Sequence, residues 1–539
     1  MTKPAPKNPI EGSDTKPDDQ QIAVFTAVAS FMHANWLRLL SISAMVIAPC
    51  LWHLRIEAGD LPSHLYNAWL THLIKTGQAP GLWLAHQWNN VLFDFALSGL
   101  GNILGWATAE KIAVCGAVLI FFWGAFALVC AMTRSIPWFV LPCLAIVAYG
   151  WTFEMGFMNF YISIGLAFFG LAVLTRGRGW ERGLAAVLAP LVWLAHPVGL
   201  ALLATAGVYI VLAELIPPRH HAYLFVASVL VILGIHFFIQ VHYSPSRVIW
   251  SYNPPFVHDG TDQLLLYGPQ YLLPARLFRA FLLACLLLEV TRPYTASRWS
   301  RYLLPSELCA LALLGALLLP TGFKSIGFLT ERMTCVSAVL ICCLLGTVKP
   351  RKWHLAGFAM IAAIFFSFLY ADTAAINRVE AELVRKVREI PPGSRVVASI
   401  VSGPGRVTTH HIVDRACIDR CFSYDNYEPS SAQFRVRASP GNPFVMSEDA
   451  WAVQTGDYIV QARDLPLFEI YQCDSSMTGL CVRKLAQGTR TSSAFRKENN
   501  WYQRFNAESL LVDLSLSPLL ILGVYAGRWL IFQFQRARS

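Results

Sequence analysis

Apolar runs long enough to cross a bilayer recur along almost the whole chain, and no other feature limits its possible folds as much. A helix spanning hydrocarbon needs about 20 residues. Stretches near that length lie at 37–56, 111–132, 136–152, 159–175, 183–196, 198–215, 222–241, 271–291, 302–320, 327–348, 353–371 and 508–527. Backbone polar groups in hydrocarbon must be satisfied within their own segment, so these runs predict helices. Only 14% of the 539 residues are charged, where soluble domains carry about 25%. The expected fold is a polytopic α-helical membrane protein with about twelve transmembrane helices. The pair of runs split at His196-Pro197 fits a short re-entrant hairpin equally well.

Loop charge orients the chain. With the N-terminus inside, the short cytoplasmic connections hold Arg134, then Arg176, Arg178 and Arg182, then Arg219, then Arg292, Arg298 and Arg301, then Lys349, Arg351 and Lys352. This is the positive-inside pattern. It accounts for the net charge of +10 without a nucleic-acid partner. The organisation expected is a cytoplasmic tail and interfacial helix over 1–36, a transmembrane domain over 37–371 with a first outside loop at 57–110, an extracytoplasmic α+β domain over 372–506, and a last transmembrane helix with a basic cytoplasmic tail over 507–539.

In the first outside loop, Leu65, Ala68, Trp69 and Leu73 share one helical face, with His64, Asn67, Thr71 and Lys75 opposite. That pattern predicts an amphipathic helix lying at the membrane interface. The 372–506 segment opens with a charged helix near 374–390, stopped by Pro391-Pro392-Gly393. Strand-like runs follow at Arg395–Ile400, Gln433–Ala438, Tyr458–Ala462, Pro466–Gln472 and Leu480–Leu485. Four cysteines lie there, Cys417, Cys421, Cys473 and Cys481. They suggest two disulfides in an oxidising compartment, with all three pairings open; their spacing matches no zinc pattern.

Ionisable residues where greasy helices end point to function. The run Glu57-Ala-Gly-Asp60-Leu-Pro-Ser-His64 follows the first span; Asp60 there is either the cap of a helix starting near Pro62 or a chemical group. Glu154 lies in the turn between the third and fourth spans, as a functional acid or an ordinary interfacial glutamate. Lys324 and Arg332, rare basic residues on the outer side, are anion ligands or partners of Glu331 and lipid headgroups. Arg247 and Tyr252 lie in the 242–270 loop, a substrate gate or a plain Pro-rich connector. Arg435 and Arg437, after Tyr424, Asp425 and Tyr427, read better as a solvated face than as a glycan contact. His410-His411 with Asp414 lacks the spacing of a metal motif. No phosphate-binding loop, dinucleotide fingerprint or Gly-x-Ser-x-Gly elbow is present, which argues against ATP-driven transport and lipase chemistry.

A cytoplasmic N-terminus, a dozen helices, a long first outside loop with interface helices and an acid just after the first span together resemble the GT-C glycosyltransferases. These integral membrane enzymes use polyprenyl-phosphate-linked sugars and often carry a C-terminal extracytoplasmic domain. Many members have adjacent acids or Asp-x-Asp in the first loop, where this chain has Glu57-x-x-Asp60. The resemblance implies a bacterial-type inner-membrane enzyme that moves a sugar from a polyprenyl-phosphate donor to a lipid, glycan or protein acceptor by inverting displacement. It implies Asp60 as catalytic base and Glu154 as its helper, with a divalent cation, Mg or Mn, shared between the two as one form of the site. Lys324 and Arg332 are then phosphate ligands, and Glu57, His64, His196, Arg247 and Tyr252 substrate contacts; His196 also reads as the cap of a broken helix. Two other readings compete. A lipid-glycan transporter or flippase calls for paired mid-span charges and internal repeats, neither of which the sequence shows. A non-catalytic scaffold would present its C-terminal domain to a partner.

Overall fold

The computed structural model describes residues 23–244, 247–250, 260–290, 296–323, 326–400, 411–431, 433–446, 452–453, 456–474, 476 and 478–492. The expected span at 508–527, together with Tyr252 and Lys324, lies outside these residues. The chain is mostly helical, and eight helices among the described residues are long and apolar enough to cross a membrane. It is a polytopic helical protein of the multi-pass membrane type.

The helices run in order as α1 (Ala23–Ile47), α2 (Leu61–Lys75), α3 (Leu92–Leu104), α4 (Trp106–Thr133), α5 (Leu141–Ala148), α6 (Trp151–Glu154), α7 (Met158–Arg176), α8 (Gly183–Ala195), α9 (Pro197–Leu215), α10 (His221–His242), α11 (Leu272–Val290), α12 (Ala296–Leu318), α13 (Leu329–Gly346), α14 (Lys352–Glu389), α15 (Ile412–Cys417) and α16 (Tyr427–Ser431). The strands are β1 (Leu82–Leu84), β2 (Val248–Ile249), β3 (Gly322–Phe323), β4 (Arg395–Ser399), β5 (Phe422–Ser423), β6 (Val436–Ala438), β7 (Leu467–Gln472) and β8 (Leu480–Leu485).

α4, α7 and α13 form the buried centre of the bundle. Small residues let α4 and α7 approach closely: a Cβ added to Gly165 would lie 2.7 Å from the Phe121 Cα. The rings of Phe121 and Tyr161 stack across the same contact at 4.4 Å. α10 is the opposite case, an apolar helix whose membrane-length window has no buried residue and which offers an exposed face to lipid.

Several expected boundaries move. The interfacial helix near 22–35 and the first span are one continuous helix, α1. The runs at 136–152 and 183–196 form helices shorter or more broken than full spans, the first as α5 and α6, the second as the 13-residue α8, while the run at 302–320 is the apolar part of the 23-residue α12, which carries Pro305 inside it. The span at 353–371 and the charged helix near 374–390 are also one element, the 38-residue α14. No proline interrupts it, so the fall in hydropathy near 372 changes the surroundings of the helix without ending it.

At one end of the bundle, a four-stranded sheet of order β5-β4-β7-β8 packs beside α14. β4 runs parallel to β5 and β7, and β8 returns antiparallel to β7. The expected strand at Tyr458–Ala462 is reduced to a single bridge, Ile459 to Arg490. Disulfides join Cys417 to Cys421 and Cys473 to Cys481. β1 pairs with β6, Trp83 opposite Arg437, which ties the loop after the first helix to the C-terminal region.

α2 is the main correction. It is buried on both faces rather than lying half-exposed. Tyr66, Trp69 and Leu73 enter a hydrophobic cluster with Val379, Leu383 and Ile412. The polar face is buried because it has partners of its own: His64 Nδ1 meets Asp94 Oδ1 at 2.8 Å, and Asn67 Oδ1 accepts from Asn426 Nδ2 at 3.0 Å.

Candidate active site

Asp60 ends the turn that enters α2. Its backbone N–H donates to the Met155 carbonyl at 3.0 Å, and that of Gly59 to the Glu154 carbonyl at 2.6 Å. Glycine is required on both sides of this contact. Gly156 has φ +77°, and a Cβ on Gly59 would come within 2.8 Å of the Met155 oxygen. Two loops distant in sequence are thus locked backbone to backbone, which fixes where Asp60 stands. Asp60 occupies the N-cap position of α2, yet its side chain makes no capping bond. The side chain is 26% exposed.

Around it stand groups from four segments. His411 Nε2 lies 3.8 Å from Asp60 Oδ1. His411 Nδ1 faces Asp414 Oδ2 at 3.3 Å, and Ser423 Oγ donates a short hydrogen bond to Asp414 Oδ1. The ring of Tyr427 packs on His411 at 5.3 Å. Burial pushes the Tyr427 phenol well up, the charges of Asp60, Glu428 and Asp414 add to this, and Arg332 opposes them. Arg332, in the first turn of α13, lays its guanidinium over the Phe157 ring at 3.6 Å and donates from Nε to the Gly327 carbonyl at 3.1 Å. Such a cation–π seat holds the head in place while leaving donors to spare.

One turn along α2, His64 and Asp94 form a second polar centre. Asp94 Oδ2 also accepts from Asn159 Nδ2 at 3.0 Å, and Asn159 Oδ1 accepts from the Phe93 N–H at 2.8 Å. Glu428 joins through Ser63 Oγ at 3.1 Å. Burial alone would lower the His64 pKa, but Asp94, with Glu428 and Asp60, outweighs it and pushes the ring up to about 9. His411 reaches about 9 in the same way, burial being outweighed by Asp414, Asp60 and Glu428. Burial first, then neighbouring acids, raise Glu428 to about 7 against the pull of His64. At neutral pH both histidines therefore carry protons, and Asp60 stands between two cations, His411 and Arg332.

The remaining candidates lie elsewhere. Glu57, three residues before Asp60, faces the other way into a buried ion cluster. Its Oε1 accepts from Asn377 Nδ2 at 2.7 Å, and its Oε2 lies 3.4 Å from Arg415 NH2. Arg415 also binds Glu380 at 2.6 Å and Glu110 through a shorter contact, and Arg55 reaches Glu380 at 3.2 Å. Glu154 is buried, and with Glu57, Tyr149, Tyr267 and Thr373 it lines a cavity of about 20 Å³, room for about one water. Glu57 and Glu154 thus share a small cavity behind Asp60. His196 caps α9, its Nδ1 accepting from the Val198 N–H at 3.2 Å, with its ring edge on Phe160 at 5.5 Å. Arg247 is exposed beside the β2–β3 ribbon.

The divalent cation does not fit here. A metal site needs converging anionic or neutral donors, whereas Asp60 is flanked by Arg332 and a protonated imidazole, and Glu154 opens into a different cavity. Among the described residues no group of three or more His, Cys, Asp or Glu side chains is arranged to hold a metal.

Reading the sequence passed over Asp94 and Glu428, set Tyr427 aside with a solvated face, and weighed His411 with Asp414 only as a metal site. The one local signal was the His411-x-x-Asp414 spacing at the start of α15, which lets a carboxylate orient a ring one turn back. No family model matches the chain, and no curated protein or solved structure matches it either.

Proposed function

We propose that the protein is a membrane glycosyltransferase of the GT-C kind, acting with Asp60 as general base on a polyprenyl-phosphate-linked sugar. The observation that carries this reading is the placement of a part-exposed carboxylate between two cations, at the end of an apolar bundle. A donor whose prenyl tail lies in lipid presents its phosphate and sugar at such an end. Arg332 supplies charge for the phosphate as the leaving group forms. Asp60 accepts the proton of the acceptor hydroxyl as its oxygen attacks the anomeric carbon. The new C–O bond forms as the bond to phosphate breaks, the electron pair leaves with polyprenyl phosphate, and the anomeric configuration inverts. The Glu154-Met155 turn behind Asp60 holds it in place, the Glu154 carbonyl accepting from the Gly59 N–H and the Met155 carbonyl from the Asp60 N–H. The cytoplasmic termini, the outer location of the site, the twelve-span count and the extracytoplasmic standing of 372–506 belong to the same proposal and follow from the loop charges.

Purified wild-type protein and Asp60→Asn, assayed on a panel of polyprenyl-phosphate sugars, test it. Transfer should fall by about 10²–10⁴-fold in the variant at unchanged thermal stability; sugar transfer at the wild-type rate would refute the assignment.

A further inference from the structure

Of the two cations beside Asp60, the transferase reading gives a role only to Arg332; the other, His411, is delivered from more than 350 residues away in sequence. Its ring is oriented from behind. Asp414 Oδ2 meets Nδ1 at 3.3 Å, and Asp414 is held in turn by Ser423 Oγ, which also reaches Asp425 Oδ1 at 3.3 Å. This buried chain sits on β5 and α15, and Tyr66 of α2 anchors it by accepting from the Ser423 N–H at 3.0 Å. The front nitrogen is different. Among the described residues Nε2 has no hydrogen-bonding partner; Asp60 Oδ1, at 3.8 Å, is beyond reach. A protonated ring, ion-paired to Asp414 at one nitrogen and turned toward the part-exposed Asp60 at the other, is arranged to donate to something that arrives. Asp60, Asp414, Glu428 and the Tyr427 ring face the imidazole, and Arg332 stands near Asp60 and Tyr427 on the α13 side.

We propose that His411 is a second cationic ligand, beside Arg332, for the phosphate of a polyprenyl-phosphate donor, with Asp414 as its positioning residue. This rests on the transferase reading and deepens it: the C-terminal region completes the donor site. It also makes a claim of opposite sign for Asp60. A carboxylate next to a bound phosphate repels it, so the base weakens donor binding while it serves the chemistry.

The test is binding, measured on the full-length protein in nanodiscs of zwitterionic lipid by native mass spectrometry. Decaprenyl phosphate is compared with decaprenol, and phosphatidylglycerol serves as the anionic headgroup control. Wild-type protein should prefer the phosphate to the alcohol. His411→Gln should weaken phosphate binding about tenfold, the loss of one charge-assisted bond. His411→Lys should restore most of it, and Asp60→Asn should tighten it. If His411→Gln does not fold, Asp414→Asn carries the test, with loss in the same direction. Wild-type protein that cannot tell phosphate from alcohol would overturn the transferase reading itself. Wild-type preference that survives unchanged in His411→Gln or Asp414→Asn would overturn only the role of His411. Equal loss of phosphatidylglycerol binding would overturn its assignment to the donor.

Discussion

Glu57 and Asp60 leave the same helix end three residues apart, and their surroundings give them opposite work. Glu57 is buried among Glu110, Glu380, Arg55 and Arg415, with Asn377 on its other oxygen. Asp60 keeps 26% of its side chain open, and its closest cation stands 3.8 Å off. Burial with complete pairing makes a clamp; partial exposure with loosely placed cations makes a site that something else can enter. The clamp joins the first loop, α4, α14 and α15, so it also fixes the helix that carries His411's partner Asp414.

Removing the centre of each cluster should separate these roles most widely. Asp60→Asn is expected to lose catalysis and keep its fold, as above. Arg415→Met is expected to do the reverse of sparing the fold. It strands Glu57, Glu110 and Glu380 in the interior, and breaking a buried pair costs about 3–5 kcal/mol. Loss of folded, detergent-stable protein on size exclusion is the expected result; a well-folded Arg415→Met would mean that the clamp is decoration. Adding Glu380→Met to that variant should recover part of the loss.

A smaller effect is expected where the two loops meet. A Cβ at Gly156 would lie 2.4 Å from the Asp60 nitrogen, at φ +77°. Gly156→Ala must therefore shift Asp60 or its own turn. Strain of this kind costs about 1–3 kcal/mol, and a shift near 1 Å costs about 10²-fold in rate. Kinetics should show the loss in kcat, with donor binding by Arg332 retained. Wild-type kcat in Gly156→Ala would show that the backbone contact does not set the position of the base.

How much of this could be read from the sequence depends on the range of each interaction. The apolar helices and the positions of Asp60 and Arg332 at helix ends were legible, because a charge at the end of a greasy run is a local signal. The polar face of α2 was misread as facing water. His64 and Asn67 have partners at Asp94 and Asn426, and nothing near position 64 announces a match at position 426. Glu57 looked like part of the site for the same reason, since Arg415 lies 358 residues on. α14 is a different kind of miss. The absence of any proline between Lys352 and Glu389 was visible, but the change from apolar to charged residues was read as a boundary when it marks only where the helix leaves one environment for another.

The finest test concerns the clamp's own charge. Three carboxylates face two guanidinium groups there, Glu57, Glu110 and Glu380 against Arg55 and Arg415. Burial, with Glu380 beside it, pushes Glu57 up to about 8 against the pull of Arg415. A carboxyl with a raised native pKa binds its proton more tightly folded than unfolded. Its contribution to stability is complete below the unfolded value, about 4.3, and is lost as pH rises through about 8. Glu57→Gln replaces the neutral acid with a neutral amide of the same shape and removes this titration. The variant should match wild-type thermal stability near pH 4 and exceed it by a margin that grows as pH rises toward about 8. A Glu57→Gln protein that is much less stable at pH 6 would mean that Glu57 works as an anion inside the clamp, and the contrast with Asp60 would then rest on exposure alone.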